Sequence, residues 1–297
     1  MNFVEKAIIG AKREAGVPRS IGAILIDQGK LTSEDVDAIR RFAAEKSLRF
    51  GEAAVQLGLL TEDDIDSALG SQFYFPVLPD VAPSVVTAHD FPNHLVSHLR
   101  ALRSQIMFRW LNDAQRKVLA ITSPGRGEGR SWLAANLAVA LAQIGKRTLL
   151  IDGDMRNPLQ HRLFNLRDSP GLSAMLTGRA EASPVHRIHP DLLLSIVPAG
   201  AAPPNPEELL ARPQFGAVLD GFVANYDVVL LDTPPAMPTS DAQLIAAKAG
   251  NALIVARSNH TRRANMLAVM AALKQARVNV VGSVVNDYSG DGLFTAK

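Results

Sequence analysis

The sequence predicts an α/β protein: a doubly wound, mostly parallel sheet preceded by a small helical domain. Three observations support this prediction. An apolar strand, a glycine-rich turn and a long apolar helix follow one another between residues 118 and 141. Two further buried-strand patterns end in aspartates, and a repeat of short helices fills the first 75 residues. The predicted domains are a helical module (1–75), a linker (76–93) and an α/β domain (94–297).

The helical module is defined by its repeat, in which one set of residues recurs 29 positions later. Ile21-Gly22, Gly29, Leu31-Thr32 and Asp35 return as Phe50-Gly51, Gly58, Leu60-Thr61 and Asp64. Each copy predicts a short helix, a glycine that ends it, and a new helix whose first turn is capped by Thr and Asp. The stretch that follows, Phe75 to Pro92, holds four of the 18 prolines and lacks helical periodicity, which predicts a linker.

The glycine-rich turn reads SPGRGEGRS (Ser123 to Ser131) and is called the glycine loop below. Unpaired N–H groups and the positive dipole end of the following helix favour an anion there. Arg126 and Arg130 fit that interpretation, because cations are slightly unfavourable at a helix start without a bound anion. The loop departs from the usual phosphate-binding pattern, with Pro124 at the first glycine position and Arg130 at the lysine position. Taken alone, such a turn is more often simple packing.

Aspartates end two other predicted strands. RTLLIDGDMR (Arg147 to Arg156) carries Asp152 and Asp154, and YDVVLLDTPP (Tyr226 to Pro235) carries Asp232. Each aspartate taken singly is as compatible with a helix cap or a turn. Because parallel sheets bind ligands at the carboxyl ends of their strands, the conjunction predicts one crevice holding the loop and all three carboxylates.

These motifs resemble the bacterial tyrosine kinases of polysaccharide export, within the group of P-loop ATPases that includes division-site and plasmid-partitioning proteins. The resemblance covers about residues 91–288 and rests on the glycine loop, IDGDMRNP (Ile151 to Pro158), LDTPP (Leu231 to Pro235) and PPNPEELL (Pro203 to Leu210). GRGEGRS followed by LAANLA is similar to the chain-length-determinant tyrosine autokinases, in which arginine also stands in the lysine position. The resemblance implies a P-loop NTPase-type sheet.

The resemblance also implies cofactors and site residues. ATP and Mg²⁺ are the expected cofactors. Catalytic roles go to Arg130, Asp152 and Asp154, and magnesium contacts to Ser131, Asp154 and Asp232. Nucleotide contacts go to the loop and to one strand end: Gly125, Arg126, Gly127, Glu128, Gly129, Arg130, Ser131, Trp132 and Asn286. For Asn286, a turn-forming role is equally compatible with its position.

Three departures from that family leave the function open between an enzyme and a switch. Tyr288 is the one tyrosine near the C-terminus that could accept a phosphate, and a structural role is favoured for it. Ser97 replaces the glutamate that begins the family's oligomerisation motif, so a homo-oligomer is an open expectation. Arg130 supports nucleotide binding better than turnover, because guanidinium is broader and less mobile than ammonium. The alternatives are a tyrosine autokinase or ATPase of exopolysaccharide synthesis and a nucleotide-gated interaction protein.

The helical module resembles the N-terminal module of type II secretion and pilus ATPases, some of which bind cyclic di-GMP. The residues matching the ligand-binding pattern are Arg19, Gly22, Arg49, Gly51 and Gln72. The second copy of that pattern fits well. The first is degraded, with Ser20 in the arginine position and Ala43 in the glutamine position. A protein-docking or structural role is therefore favoured over cyclic di-GMP binding.

Composition excludes several classes. A net charge of +2 with scattered basic residues argues against nucleic acid as a partner. The absence of cysteine excludes disulfides and thiolate metal sites. His186 and His189 are expected in a surface loop. Without a membrane-spanning pattern or signal peptide, the expected location is the cytoplasm, with peripheral association at the inner membrane through a partner. The resemblance implies that this partner is an inner-membrane chain-length regulator.

Overall fold

The computed structural model describes residues 20–27, 29–46, 48–65, 78–89, 94–112, 116–166, 170–179 and 184–287. The chain divides into two compact units, with the boundary between residues 76 and 77. The smaller unit contains the described residues 20–65, and the larger contains the described residues from 78 onwards. Each unit has its own apolar core.

The smaller unit is helical, with α1 at Ile21–Asp27, α2 at Ser33–Lys46, α3 at Phe50–Gln56 and a further helical turn at residues 62–65. The predicted caps are confirmed. Asp35 accepts the Thr32 N–H at 2.8 Å and its own N–H donates to Thr32 Oγ1 at 3.2 Å; Thr61 and Asp64 repeat this exchange at 3.0 and 3.2 Å. Gly29 and Gly58 follow their helices with φ of 70° and 68°, so the glycines do end α1 and α3.

The larger unit is built on one seven-stranded sheet, and the predicted α/β class is confirmed. The strands are β1 Val118–Thr122, β2 Thr148–Asp152, β3 His186–His189, β4 Leu192–Val197, β5 Val228–Asp232, β6 Asn251–Arg257 and β7 Asn279–Asn286. Their spatial order is β3-β4-β2-β5-β1-β6-β7. All pairs are parallel except β3 with β4. His186 and His189 therefore lie in an edge strand, and the prediction of a surface loop at these residues is wrong.

Helices cover both faces of this sheet: α4 His94–Ile106, α5 Arg130–Gln143, α6 Gln160–Leu163, α7 Leu172–Thr177, α8 Pro206–Ala211, α9 Pro213–Val223, α10 Asp241–Ala249 and α11 Arg263–Gln275. Helix α4 continues as a π-helical turn at Met107–Leu111. Alternate residues of β5 enter two separate cores, Val228 and Leu230 on one face, Val229 and Leu231 on the other. This alternation explains why the strand is a continuous apolar run in the sequence.

Residues 78–89 differ from the predicted linker. Leu78, Val81 and Val85 are buried in the core that α5 shares. Thr87 adds a polar contact, since its N–H donates to the buried Asn136 Oδ1 at 3.1 Å. This segment is therefore a packed part of the larger unit and not a free tether. Its prolines interrupt the regular spacing of apolar residues, so the sequence did not indicate that one side of the segment is buried.

Strand register places the aspartates at one edge of the sheet. Asp152 of β2 lies directly opposite Asp232 of β5, and Asp232 lies opposite Ile121 of β1, which leads into the glycine loop. The carboxyl ends of three adjacent parallel strands thus meet where ligands bind in open α/β sheets. Within the ranges described, no helix is both long enough and apolar enough to cross a bilayer.

Candidate functional site

The glycine loop takes a conformation that requires two of its glycines. Gly127 and Gly129 have φ of 73° and 90°, values that side chains with a Cβ rarely adopt. A Cβ at Gly129 would also lie 2.1 Å from Asn286 Nδ2, so the Asn286 side chain would have to shift. Helix α5 begins at the next residue, so its unpaired first N–H groups face the loop.

The carbonyl groups of the loop are held from one side. Arg257 Nη1 donates to the Gly127 carbonyl at 3.2 Å, and Asn286 Nδ2 donates to the Glu128 carbonyl at 3.2 Å. His260 Nε2 lies 3.3 Å from the Arg126 carbonyl. In a trans peptide the next N–H points the opposite way from the carbonyl. The N–H groups of residues 127–129 therefore point away from these three side chains, as an anion cradle requires.

Glu128 braces the loop internally. Its side chain is buried and accepts the N–H of Gly125 at 2.7 Å as well as the hydroxyl of Thr261. Both carboxylate oxygens are thus engaged by protein donors. The predicted nucleotide contact of Glu128 can therefore involve only its backbone N–H and stays a prediction. Its side chain stabilises the conformation of the loop.

Asp152, Asp154 and Asp232 form one buried group, called the acidic cluster below. Asp152 is fully buried, and backbone N–H groups hold it: Asp154 N donates to Oδ1 at 3.1 Å, and Leu159 N and Gln160 N donate to Oδ2 at 3.0 and 2.9 Å. The turn after β2 therefore wraps around this carboxylate. The three residues that the sequence placed in one crevice do lie together.

Arg130 is the cation of the acidic cluster. Its guanidinium is almost buried, with Nε 3.3 Å from Asp232 Oδ1 and Nη2 3.4 Å from Asp154 Oδ2. Nη1 donates to Ser123 Oγ at 2.8 Å. The predicted phosphate contact of Arg130 stays a prediction, but in this structure the side chain turns beneath the loop and pairs with the carboxylates. The positive charge of Arg130 is therefore partly neutralised by these carboxylates.

Burial dominates the electrostatics of the cluster. Burial raises the pKa of Asp152 well above its ordinary value, the charge of Asp232 raises it further, and the N–H donors of Gln160 and Leu159 oppose that rise. Burial likewise raises the pKa of Asp232, although the charge of Arg130 and hydrogen bonds from Gln160 and Ser131 lower it. Arg130 brings one positive charge to three carboxyl groups, so ionising all three would leave two negative charges in excess. A divalent cation would offset that excess.

The donor set fits magnesium. Ser131 offers a hydroxyl within hydrogen-bond reach of Asp232, and Asp154 and Asp232 offer carboxylate oxygens, the ligand chemistry that Mg²⁺ prefers. Within the described ranges, no group of three or more His, Asp or Glu side chains is arranged to hold a metal by itself. Mg²⁺ usually takes one or two carboxylates and completes its shell with water and phosphate.

Gln160 is a site residue that the sequence interpretation missed. It is fully buried at the start of α6, and its Nε2 donates to Asp232 Oδ2 at 2.7 Å and to the Ser131 carbonyl at 3.0 Å. A single glutamine after IDGDMRNP has no motif spacing of its own. Its only signal is its position eight residues after Asp152.

Other predicted residues have different outcomes. The Trp132 indole N–H donates to the Ser84 carbonyl at 2.6 Å, so its side chain faces the 78–89 segment and only its backbone is left for the predicted nucleotide contact. Arg126 is exposed. Tyr288, Arg19 and Gln72 lie outside the described residues. The cyclic di-GMP assignment thus stays a prediction.

The repeat glycines of that assignment have a packing role in the structure. A Cβ on Gly22 would lie 3.1 Å from Val36 Cγ1, and one on Gly51 would lie 3.0 Å from Ile65 Cγ2. Arg49 precedes α3, and its N–H donates to Glu52 at 3.0 Å. Close helix contacts explain both glycines without a ligand.

Comparisons with known proteins agree with this geometry. The family model described as "ParA: NUBPL iron-transfer P-loop NTPase" matches residues 114–290. The chain is 35% identical over 206 residues to the putative tyrosine-protein kinase CapB of Staphylococcus aureus, covering 68% of this chain and 89% of CapB. It is 35% identical over 245 residues to the putative tyrosine-protein kinase EpsB of Ralstonia nicotianae, covering 77% of this chain. The aligned part spans only 32% of EpsB, about a third of its length.

A solved structure extends the agreement to three dimensions. The crystal structure of the chimerical protein CapA2B2 matches with a TM-score of 0.65 at 33% identity, covering 77% of this chain and 99% of that one. The family model alone spans more than half of the chain. Sequence, fold and site geometry lead to the same conclusion: the chain belongs to the bacterial tyrosine-protein kinases of the P-loop NTPase family.

Proposed function

We propose that this protein is an ATP-binding, magnesium-dependent tyrosine autokinase or ATPase that regulates exopolysaccharide synthesis and chain length. The observation that carries the proposal is the acidic cluster, three buried carboxylates at adjacent strand ends beside a loop with the backbone of a phosphate cradle. The polysaccharide role comes from the resemblance to kinases of that export type. The CapB and EpsB relatives support the kinase class.

The residues divide the chemistry among them. The N–H groups of residues 127–129 and the start of α5 bind phosphate oxygens, and Ser131, Asp154 and Asp232 hold Mg²⁺. Bound magnesium would neutralise charge on the transferring phosphate. Asp152 orients the attacking hydroxyl or accepts its proton. Its raised pKa suits that role, because a general base works best when its pKa approaches the working pH.

Arg130 favours a second candidate function, a nucleotide-gated switch with little phosphotransfer. The guanidinium already pairs with Asp154 and Asp232, so a bound nucleotide and metal compete with or rearrange these contacts. Such a rearrangement changes the conformation of the loop whether or not phosphate is transferred. The helical module would then report or receive a signal through a docked protein, and cyclic di-GMP is the less favoured alternative.

The proposed setting is the cytoplasmic side of the inner membrane. A chain-length regulator in that membrane is the proposed partner, and a homo-oligomer is the proposed assembly. Both come from the family resemblance. Co-purification of membrane proteins with the tagged chain, identified by mass spectrometry, tests the first, and light scattering with and without magnesium and ATP tests the second.

One experiment separates the candidates. Purified protein is incubated with γ-labelled ATP and magnesium, and both protein-bound label and released phosphate are measured. Label that disappears in Tyr288→Phe supports an autokinase, whereas released phosphate without protein label supports an ATPase switch. Neither product, together with no thermal stabilisation by magnesium and ATP, rejects nucleotide binding, since a ligand at 100 times its Kd should stabilise by about 2.7 kcal/mol.

A further inference from the structure

Gln160 connects three parts of the site that lie far apart in the sequence. Its backbone N–H donates to Asp152 Oδ2 at 2.9 Å. Its side-chain Nε2 donates to Asp232 Oδ2 at 2.7 Å and to the Ser131 carbonyl at 3.0 Å. One fully buried residue thus joins the ends of β2 and β5 to the first turn of α5.

The chemistry of the neighbours decides how the amide is oriented. A carboxylate oxygen and a carbonyl oxygen both accept hydrogen bonds, so the NH₂ end must face them. The two side-chain donors then serve the two acceptors. The opposite atom, Oε1, is buried and has no hydrogen-bond partner among the described residues.

That unpartnered acceptor shows which end of the amide matters. Leaving a buried acceptor unsatisfied costs about 1–3 kcal/mol. A methionine of similar size would avoid this cost and still fill the space. Methionine would not supply the two N–H donors of the amide. The contribution of Gln160 therefore lies in its hydrogen bonds to Asp232 and to the Ser131 carbonyl.

We propose that Gln160 is a positioning residue for the magnesium–nucleotide site. Its Nε2 holds one oxygen of Asp232 against the start of α5, which leaves Oδ1, the oxygen facing Arg130, to the ligand side. Without it, Asp232 keeps its contacts with Arg130 and Ser131 but loses the donor that holds Oδ2, so the orientation of the carboxylate is less tightly set. The inference rests on the proposed nucleotide and magnesium binding. Removing such an outer partner of a metal ligand typically weakens metal affinity about 10–100-fold.

The test uses the full chain and two matched substitutions. Gln160→Met removes the donors and keeps the volume. Gln143→Met is the control, because the Gln143 amide donates one bond, to the Thr87 carbonyl at 2.7 Å, and its buried Oε1 likewise has no hydrogen-bond partner in the part of the chain that the structure describes. Gln143 ends α5, about 20 Å from its first residue at 1.5 Å per residue.

The measurement is the rise in Tm caused by ADP over a range of magnesium concentrations and in EDTA. We expect Gln160→Met to need at least about tenfold more magnesium for the half-maximal rise. Its response to ADP in EDTA should equal that of the unchanged protein, and Gln143→Met should keep the original magnesium requirement. If Gln160→Met does not fold, Gln160→Asn withdraws the amide by one methylene and should raise the requirement likewise.

Three outcomes would count against these proposals, the first against the proposed function and the other two against the positioning role. An unchanged protein that ADP does not stabilise at any magnesium concentration rejects the proposed function itself. An unchanged protein that responds, together with a Gln160→Met or Gln160→Asn variant of the same magnesium requirement, overturns the positioning role. Equal losses with magnesium and with EDTA also overturn it, because a merely structural role would weaken both.

Discussion

Aspartates accept backbone N–H groups in both compact units, but their pKa values shift in opposite directions because, among them, only the aspartates of the larger unit's acidic cluster are fully buried. In the helical module, Asp35 is partly exposed, and its hydrogen bonds with Thr32 lower its pKa. Asp64 behaves in the same way, with the nearby Lys30 as the largest cause. In the acidic cluster, burial raises the pKa of Asp152 and Asp232 although both accept hydrogen bonds.

This difference separates a structural role from a functional one. A capping carboxylate that stays partly exposed stabilises its helix because it remains hydrated and also accepts a hydrogen bond from a backbone N–H. A buried carboxylate loses that water, so it lowers the stability of the fold unless other contacts offset the loss. A protein keeps several such groups together where binding or catalysis requires them. The predictions below test this contrast, from the largest expected effect to the smallest.

The largest effect is expected for Asp152→Asn. The substitution keeps the shape and an acceptor oxygen but removes the negative charge that would orient or deprotonate the attacking hydroxyl. We expect phosphate transfer or hydrolysis to fall by about 10²–10⁴, while ADP with magnesium still raises the Tm. Labelled ATP and calorimetric binding measure the two quantities.

Asp64→Asn in the helical module is the matched control for this loss. It removes a charge of the same type from an aspartate that accepts a backbone N–H at 3.0 Å. Its turnover should match that of the unchanged chain. Activity that survives Asp152→Asn would mean that the catalytic role has been assigned to the wrong residue.

The sequence predicts those parts of the site that lie in short motifs, and it misses those that depend on contacts between distant residues. The glycine loop and the three aspartates lie in short motifs after apolar strands, so parallel topology alone brings them together. The inward turn of Arg130 depends on carboxylates 24 and 102 residues away, and Gln160 on one 72 residues away. The spacing of apolar residues along the sequence does not indicate such long-range contacts. Leu78 and Val81 were missed for a different reason, because the prolines around them suggested a linker.

Arg130→Met should have the largest effect on stability. It leaves the carboxylates of Asp154 and Asp232 buried without their cation, and breaking such a pair costs about 3–5 kcal/mol. Urea denaturation of nucleotide-free protein at neutral pH measures the change. Arg130→Lys keeps the charge and should lose less. If Arg130→Met is as stable as Arg130→Lys, the guanidinium does not neutralise the cluster.

The pH dependence of stability should reveal the cost of the buried cluster. The folded-state pKa of Asp152 is raised above the ordinary 3.8, so folding favours its protonated form. Its contribution to stability is complete below pH 3.8 and is lost as the pH rises through the folded-state value. Each unit of raised pKa corresponds to about 1.4 kcal/mol.

Asp152→Asn has no proton to lose, so the margin, defined as its stability minus that of the unchanged chain, should grow with pH. A loss that does not depend on pH lowers the margin throughout, because the amide NH₂ cannot accept one of the backbone N–H groups that hold Asp152. Urea unfolding of both proteins between pH 5 and pH 8 gives that margin, and other titrating groups cancel in the difference. A margin that shrinks with rising pH would show that the carboxylate is stabilised in its charged form.

A smaller, local effect is expected in the helical module. Thr61→Ala removes the hydroxyl that accepts the Asp64 N–H at 3.2 Å. Loss of such a cap should speed hydrogen exchange of the amides that follow it, from a few-fold to about thirtyfold. Exchange followed by mass spectrometry reads both units in one experiment. The peptides covering the acidic cluster should be unchanged, and if they exchange faster, the two units are not independently stable.

The smallest effect is expected from cyclic di-GMP. Gly22 and Gly51 are explained by their contacts with Val36 and Ile65, and the first copy of the ligand pattern has Ser20 where arginine is required. Labelled cyclic di-GMP titrated against the full chain should therefore bind weakly or not at all. Arg49→Ala and Gln72→Ala should then leave the signal unchanged. Saturable binding that both substitutions abolish would instead give the module a ligand, and the contrast between a purely structural repeat and a functional sheet edge would no longer hold.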